Sequence, residues 1–509
     1  MLACVNSGAI IGVDGYIVEV EVDTGQGLPS FEIVGLPDSA IKESKDRVRA
    51  AVKNSGFVFP QRRITVNLAP ADIKKEGPSF DLPIAAALLV CINIIPEEAV
   101  RDVFIAGELS LDGSIRPVGG ILPMVCAAQK SGITACLVPA DNAREAALVK
   151  GMQVFPIETL SELTRHLNGQ KIAAYISESG SYNQEFDLPD TLDFSDVKGQ
   201  SLVKRALEVA AAGMHNAMMI GPPGSGKTMM AKRIPSILPD LTFEESLEVT
   251  KIYSTSGKLS DKGALVTKRP FRDPHHTISY SALTGGGRFP KPGEISLAHH
   301  GILFLDELPE FHKNVLEVLR QPMEDSHVTI SRASGTLTFP SDFMLVASMN
   351  PCPCGYFGIE GRCKCSPKQI TGYLGKISGP LQDRIDIQIE VPSVAYDDLS
   401  SRQRSESSAD IKARVVKAHA LQKRRYQDDT ILFNSQLTPS KIEKYCPLDQ
   451  ECRDLLSRSA QVLGMSARAF HKIIKLARTI ADLDENENIT KIHLAEAIQY
   501  RSLDRKYWS

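Results

Sequence analysis

The chain has 509 residues, and at about 150 residues per domain that length accommodates roughly three domains. Hydrophobic residues make up 43% and charged residues 23%, which excludes collagen-like, low-complexity and mainly disordered chains. Lys and Arg (58) nearly balance Asp and Glu (61), giving a net charge of −3, so any nucleic-acid-binding surface has to be local rather than global. The longest apolar run, Leu82 to Ile95, contains Pro83 and Asn93 and at about 14 residues is too short to cross a bilayer. The first residues, MLACVNSGAIIGVDG, lack the basic segment that precedes the apolar core of a secretory signal. Ten cysteines, four of them between 352 and 365, suit a cytoplasmic protein with one special thiol site rather than a disulfide scaffold.

Residues 1–165 alternate short apolar runs with Gly and Asp turns. Strands are predicted at Tyr16–Val22, Ile64–Leu68, Val103–Ile105 and Ala135–Val138, with a helix over Pro83–Val90, giving an α+β or α/β domain. Two segments here resemble the Lon-type proteases: Lys75-Glu-Gly-Pro-Ser79-Phe-Asp-Leu-Pro, like the surroundings of their catalytic serine, and Gly107 to Gly120, like the run leading to their catalytic lysine. A serine–lysine dyad needs an amine to take the hydroxyl proton. Aligned on Gly119-Gly120, the lysine position falls on Met124, and the next lysine, Lys130, lies six residues further on. The resemblance therefore implies a Lon-like fold that has lost its protease chemistry. Dyad-less Lon-like domains also occur in the branch-migration factor RadA, which implies a ring-forming or DNA-contacting platform.

Residues 166–195 are polar and aperiodic and are expected to be a linker. From 196 to 394 strands alternate with helical patterns, which predicts a parallel sheet. The apolar strand Ala217–Ile220 runs into Gly221-Pro222-Pro223-Gly224-Ser225-Gly226-Lys227-Thr228 and then a helical stretch, Met229–Ile237. This is the strand–loop–helix setting of a phosphate-binding loop: backbone N–H groups and the helix N-terminus meet the phosphates, Lys227 reaches the β- and γ-phosphates, and Thr228 holds Mg2+. A second apolar strand, Ile302–Leu305, ends in Asp306-Glu307. There Asp306 suits Mg2+ coordination and Glu307 suits polarising the attacking water. The chain is thus expected to bind and hydrolyse ATP. Residues 395–509 are predicted to be helical, with apolar periodicity in Ile411–Leu421 and Ala467–Leu483.

Further motifs carry a narrower resemblance. The strand Met344–Ala347 leads to Asn350, and Ser378-Gly-Pro-Leu-Gln-Asp-Arg-Ile-Asp386 follows. With the two nucleotide motifs these resemble an AAA+ ATPase of the helix-2-insert branch, with a helical lid over 395–509. Arg269-Pro-Phe-Arg-Asp-Pro-His-His276, the run Gly285 to Glu294, Ser296-Leu-Ala-His299 and Asn350-Pro-Cys-Pro-Cys-Gly355 are similar to the magnesium-chelatase-like ComM/YifB family. That resemblance implies Asn350 as the sensor beside the γ-phosphate and Arg384 as an arginine finger. It also implies Arg468, just after the N-cap candidate Ser466, as the lid's second sensor, with Arg478 as the competing choice. A finger acting on a neighbour's nucleotide requires a ring, by resemblance a hexamer.

Cys352, Cys354, Cys363 and Cys365 form two C-x-C pairs separated by glycines, a set suited to a structural Zn2+. Between Lys258 and Glu294 seven basic residues (Lys258, Lys262, Lys268, Arg269, Arg272, Arg288, Lys291) face three acids (Asp261, Asp273, Glu294). Repeated around a ring, such an excess lines a channel for DNA, with Arg272, Arg288 and Lys291 as contacts and Tyr280 and Phe289 available to stack on bases. Val328–Phe339 reads as a second hairpin carrying Arg332 near its Ser-Gly turn. Three functions compete. The family resemblance implies a DNA-translocating ATPase driving branch migration in recombination or natural transformation. A chelatase-type motor acting on a protein partner and an ATP-dependent Lon-like protease are the alternatives.

Overall fold

A computed structural model describes residues 1–176, 192–259, 265–287, 290–332, 335–393 and 405–508. The chain divides into two compact units, 1–186 with 243–267, and 187–242 with 268–509.

In the first unit seven strands form one sheet. They are β1 (Leu2–Ile11), β2 (Asp14–Gly25), β3 (Ser30–Val34), β4 (Arg63–Ala69), β5 (Val103–Ile105), β6 (Ala135–Pro139) and β7 (Gln153–Ile157), in the order β3-β4-β2-β1-β5-β6-β7. The β1–β2 ladder is antiparallel from Leu2↔Asp23 to Ile11↔Asp14. Its alternation puts Ala3, Val5, Val18, Val20 and Val22 on the buried face. Helix Asp81–Cys91 is apolar almost all round and buried at every position, as a central core helix must be. Its one charge, Asp81, is met by Arg47, whose Nε and Nη2 donate to the two carboxylate oxygens at 2.6 and 3.0 Å. Helix Ile121–Lys130 lies so close to the hairpin that a Cβ on Gly15 would stand 2.7 Å from the Met124 Cα. The helix Phe243–Ser256 belongs to this unit as well: Phe243, Leu247 and Leu265 pack on the cluster that holds Cys126 and Val149. Ser254 Oγ donates to Glu145 at 2.6 Å.

The second unit is built on five strands, β8 (Ala217–Ile220), β9 (Phe271–Arg272), β10 (Ile302–Leu305), β11 (Met344–Met349) and β12 (Ile387–Glu390), ordered β9-β10-β11-β8-β12. All neighbours are parallel. β8, β10 and β11 are buried throughout, which explains their continuous apolar runs. Two short antiparallel hairpins, 285–292 and 327–340, interrupt the helical connections, and the second matches the hairpin expected at Val328–Phe339. Helices Ser408–Arg425 and Ala467–Leu483 carry the C-terminal part, the latter capped by Ser466, whose side chain accepts from Ala469 N.

Three sequence expectations change. The boundary at 165 falls inside helix Leu160–Leu167, whose amphipathic face continues to Leu167. Phe194, expected in the linker, is fully buried, and its carbonyl accepts from Lys204 Nζ at 2.9 Å. The helix expected over Met229–Ile237 ends at Ala231 and resumes as a 3-10 turn at Ile234–Ile237. Pro235 cannot donate into a continuing α-helix.

Candidate nucleotide site

The second unit's parallel strands deliver their functional residues to one edge. The loop 221–228 leaves the C-terminal end of β8, Asp306-Glu307 follows β10, and Asn350 follows β11. In a parallel sheet that edge is where ligands bind, at the point where strand order reverses. The loop itself needs its glycines. A Cβ on Gly221 would stand 2.3 Å from the Val391 carbonyl, Gly224 has φ +76°, and Gly226, with φ +89°, caps the helix that starts at Lys227.

Lys227 is buried, and its ammonium donates to Gly221 O (2.8 Å), Pro222 O (2.9 Å) and Asn350 Oδ1 (3.2 Å). Burial lowers its pKa, while Asp306 and Glu307 pull it back up. All three ammonium protons are thus occupied by oxygen atoms that phosphate oxygens can replace. Thr228 Oγ1 donates to Asp306 Oδ2 at 2.6 Å, and the other Asp306 oxygen accepts from Ser348 Oγ and from Glu307 N. Hydroxyl and carboxylate side by side form a hard-oxygen pair that fits Mg2+. Glu307 sits at φ +55°, an uncommon conformation for a residue with a Cβ, and its carboxylate is half exposed with His276 Nδ1 3.8 Å away. These groups surround a cavity of about 400 Å3 lined by Gly224, Lys227, Thr228, Asp306, Glu307 and Asn350. Pro222, Pro223 and Ser225 complete the loop, and Ser225 is itself buried.

Arg384 stands elsewhere. β12 runs parallel to β8 in the register Ala217↔Ile387 to Ile220↔Glu390, and Arg384 precedes Ile387. It therefore lies at the N-terminal edge of the sheet, a strand length of roughly 13 Å or more from the loop that follows Ile220. Its guanidinium pairs with Glu324, and Nη1 donates to Pro380 O at 2.6 Å. The ion pair is thus with Glu324, on another element, and not with the adjacent Asp383 or Asp386. Arg468 pairs with Asp383 at 3.5 Å, so it too stands at this edge and not beside its own chain's phosphate loop. Its helix is docked there by Lys472, which donates to Ile385 O (3.0 Å) and pairs with Asp386 (3.2 Å). Arg478 is fully buried, pairing with Asp482 at 3.0 Å and donating to the Asn486 and Glu487 carbonyls, which removes it as the competitor.

The four clustered thiols converge. Cys352, Cys354, Cys363 and Cys365 bring their Sγ atoms within 4.8 Å of one another, with Cys352 buried and the others half-buried. Hydrogen bonds from the Lys364 and Tyr356 backbone pull the Cys354 thiol down to about 6. Of the residues expected to meet DNA, Lys291 is exposed on hairpin 285–292, and Arg332 ends the first strand of hairpin 327–340, opposite Gly335. Tyr280 is exposed at the start of a short helix. Arg288 and Phe289 lie outside the described residues. Arg272 differs from expectation. It sits on β9 beside β10, and its Nε donates to Glu294 at 2.6 Å, so its charge is balanced internally.

Several contributors were not singled out from sequence. Gln200 Nε2 donates to the Ser225 carbonyl (3.0 Å) and to Pro392 O (2.8 Å), tying the loop to the end of β12. Ser348 braces Asp306. Asp273, raised by burial and by the nearby Asp306, joins His276 at the acidic pair. The run Arg269–His276 was the only signal for these last two.

Comparison with known proteins agrees with this arrangement. Family models described as magnesium chelatase, subunit ChlI, match residues 193–399, as subunit ChlI of Mg-chelatase residues 20–142, and as the ChlI C-terminal region residues 405–501. The competence protein ComM of Haemophilus influenzae is 43% identical over 510 residues, covering 99% of this chain and 98% of its own. YifB of Escherichia coli is 42% identical over 506 residues, with 99% and 98% covered. Lon protease 2 of Bacillus subtilis is 28% identical over 174 residues, 31% of this chain and 30% of the protease.

Proposed function

The chain belongs to the magnesium-chelatase-like ComM/YifB family of AAA+ ATPases, and on that premise we propose that it is a ring-forming motor that hydrolyses ATP to translocate on DNA. In this reading it drives branch migration in recombination or natural transformation, in the cytoplasm. The domains are a Lon-like N-terminal platform carried to Leu167 and joined by 243–267, a linker ending before Phe194, an AAA+ core of the helix-2-insert branch up to 394 and a helical lid (395–509).

The observation that carries the reading is the split of the site between two edges of one sheet. Lys227, Thr228, Asp306, Glu307 and Asn350 surround one cavity, whereas Arg384 and Arg468 sit at the opposite edge. Among the described residues no arginine lines that cavity, and both arginines stand at the far edge, where a neighbouring subunit's site can receive them, which supports a closed ring, taken here as a hexamer. Thr228 and Asp306 would hold Mg2+, which when bound neutralises charge on the β- and γ-phosphates. Glu307 accepts the proton of the attacking water as it bonds to the γ-phosphorus and the bond to ADP breaks, Asn350 orients the water, and the neighbour's Arg384 stabilises the transferring phosphoryl group. Ser348 and Gln200 keep Asp306 and the loop in place. The four thiols are a structural Zn2+ site, since four protein ligands leave no open position.

For DNA the proposal keeps Lys291, Arg332 and, in the segment outside the described residues, Arg288; Arg272 is set aside because Glu294 neutralises it. Two hairpins on the core, repeated around a ring, form the basic groove that single strands require. Salt-dependent binding to a synthetic four-way junction, together with its branch migration, tests this. Lys291→Ala combined with Arg332→Ala should weaken binding and reduce the salt slope by about two. Unchanged affinity and slope would remove these residues, and a junction left unmoved by ATP would sink the motor reading in favour of a protein client.

A further inference from the structure

The thiol cluster is built against the nucleotide site. Cys352 follows Asn350-Pro351 directly, and the Cys352 carbonyl accepts from Gly355 N at 2.9 Å, closing a tight turn with Gly355 at φ +85°. That turn rests on the phosphate loop: a Cβ on Gly355 would stand 2.4 Å from Pro223 Cδ and 2.7 Å from its Cγ. Gly221 N donates to Met349 O at 3.2 Å, so the loop's first residue is bonded to the strand end that leads into the cluster. Beyond Cys365, Ser366 caps helix Pro367–Leu374, whose Tyr373 hydroxyl meets the Asn350 backbone. Phe357, between the cysteine pairs, lies 6.2 Å from the Tyr507 ring. The knuckle thus touches the loop, the sensor asparagine and the C-terminal helix at once.

The sulfur geometry fits a metal. Cys352 and Cys354 are 3.3 Å apart, Cys354 and Cys363 3.7 Å, and Cys352 and Cys363 3.9 Å. A tetrahedral Zn2+ with bonds of about 2.3 Å places its sulfurs about 3.8 Å apart, whereas a disulfide needs about 2.05 Å. The segment 352–365 has no regular element; turn hydrogen bonds from Gly355, Ile359 and Arg362 and the positive φ of glycines 355, 358 and 361 fold it around the thiols.

We propose that Cys352, Cys354, Cys363 and Cys365 hold a zinc ion that governs nucleotide affinity, by fixing the Gly355 turn against Pro223 and the Asn350 backbone beside Lys227. This rests on the zinc reading of the thiols and on the ATPase reading of the loop. Occupied, the knuckle is a rigid wall behind the phosphate loop. Stripped or oxidised, it releases Pro223 and Asn350, and the chain loses its hold on ATP before it loses its fold.

The test uses the full chain and two readouts, metal per chain by elemental analysis and affinity for a fluorescent ATP analogue by titration. Wild-type protein should carry one zinc. Stripping it with a mercurial, then restoring thiols with dithiothreitol, should weaken nucleotide binding roughly tenfold, and adding zinc back should restore it. Cys363→Ser with Cys365→Ser should lose zinc and show the same weakening. Gly355→Ala should keep zinc yet weaken binding by a similar factor, because it leaves every thiol in place while straining the turn at φ +85° and its contact with Pro223. A wild-type chain without zinc, or carrying iron, overturns the site. Stripped protein that binds the analogue as tightly as loaded protein, or Gly355→Ala at wild-type affinity, overturns the coupling. Wild-type protein with zinc but no affinity for the analogue would instead sink the ATPase reading, and the proposal with it.

Discussion

The two units show opposite fates for inherited sites. In the second, five polar residues arrive at one edge of a parallel sheet from three strands, around a cavity large enough for phosphates. In the first, the position that resembles the lysine of a protease dyad carries a buried thioether, Met124, which has no proton-accepting group to serve Ser79. Met124 packs with Phe104 and against Gly8 in an apolar cluster, where an ammonium would be costly to bury. The difference is between polar groups gathered around a cavity at strand ends and a position filled by an apolar side chain. A fold supplies positions; solvent access and ionisable groups decide which of them do chemistry.

That contrast can be broken at either end. The largest effect belongs to Arg384→Ala, which should lower ATP turnover about a thousandfold, as loss of an arginine finger does. Mixing it with Lys227→Ala subunits should recover part of the rate, because a Lys227→Ala subunit lends its Arg384 to the intact phosphate loop of an Arg384→Ala neighbour; a mixture no more active than its parts would place the finger in its own subunit. Glu307→Gln should cost at least about a hundredfold in hydrolysis while keeping nucleotide binding, read by single-turnover rates beside analogue titration.

A smaller change concerns the support of the finger. Asp386 is buried between Lys472 (3.2 Å) and His215 (3.4 Å). Burial alone would raise its carboxyl, but Lys472 and the His215 bond outweigh it and hold it well below the ordinary range. Asp386→Ala leaves Lys472 buried without its partner and should cost about 3 kcal/mol in urea unfolding. The depressed carboxyl stabilises the fold fully above the unfolded value of about 3.9 and less as pH falls toward the folded one, so the variant should unfold less steeply with acid than wild type.

The smallest effect is expected in the first unit. Ser79→Ala should change ATP turnover by less than about twofold, and neither it nor wild type should cleave casein. Met124→Lys should lower the thermal midpoint without creating a protease. Casein cleavage lost in Ser79→Ala would reverse the comparison.

Most of the nucleotide site was legible because its parts are local. Gly221 to Thr228 needs only a strand before it and a helix after it, and Asp306-Glu307 only a strand end. The thiol set and the hairpin at 327–340 were legible for the same reason. Ser348, Gln200, Asp273 and His276 were not, since each acts across the fold on a group far away in sequence. The helix Phe243–Ser256 was not singled out from sequence, and nothing local in it says which core receives it, so its place in the first unit was hidden. Arg272 misled because net charge in a segment does not report internal partners such as Glu294. Where the lid arginine docks was hidden for a related reason: an N-cap at Ser466 fixes where a helix starts, not what it docks on.

The central claim is that ATP hydrolysis at Lys227, Asp306 and Glu307 is coupled to DNA. The direct measurement is the hydrolysis rate of the purified full chain, alone and with single-stranded, duplex and branched DNA, beside a Glu307→Gln control. Stimulation by DNA that disappears in the control is the predicted result. Robust hydrolysis indifferent to every DNA would contradict it and turn the search toward a protein or tetrapyrrole client.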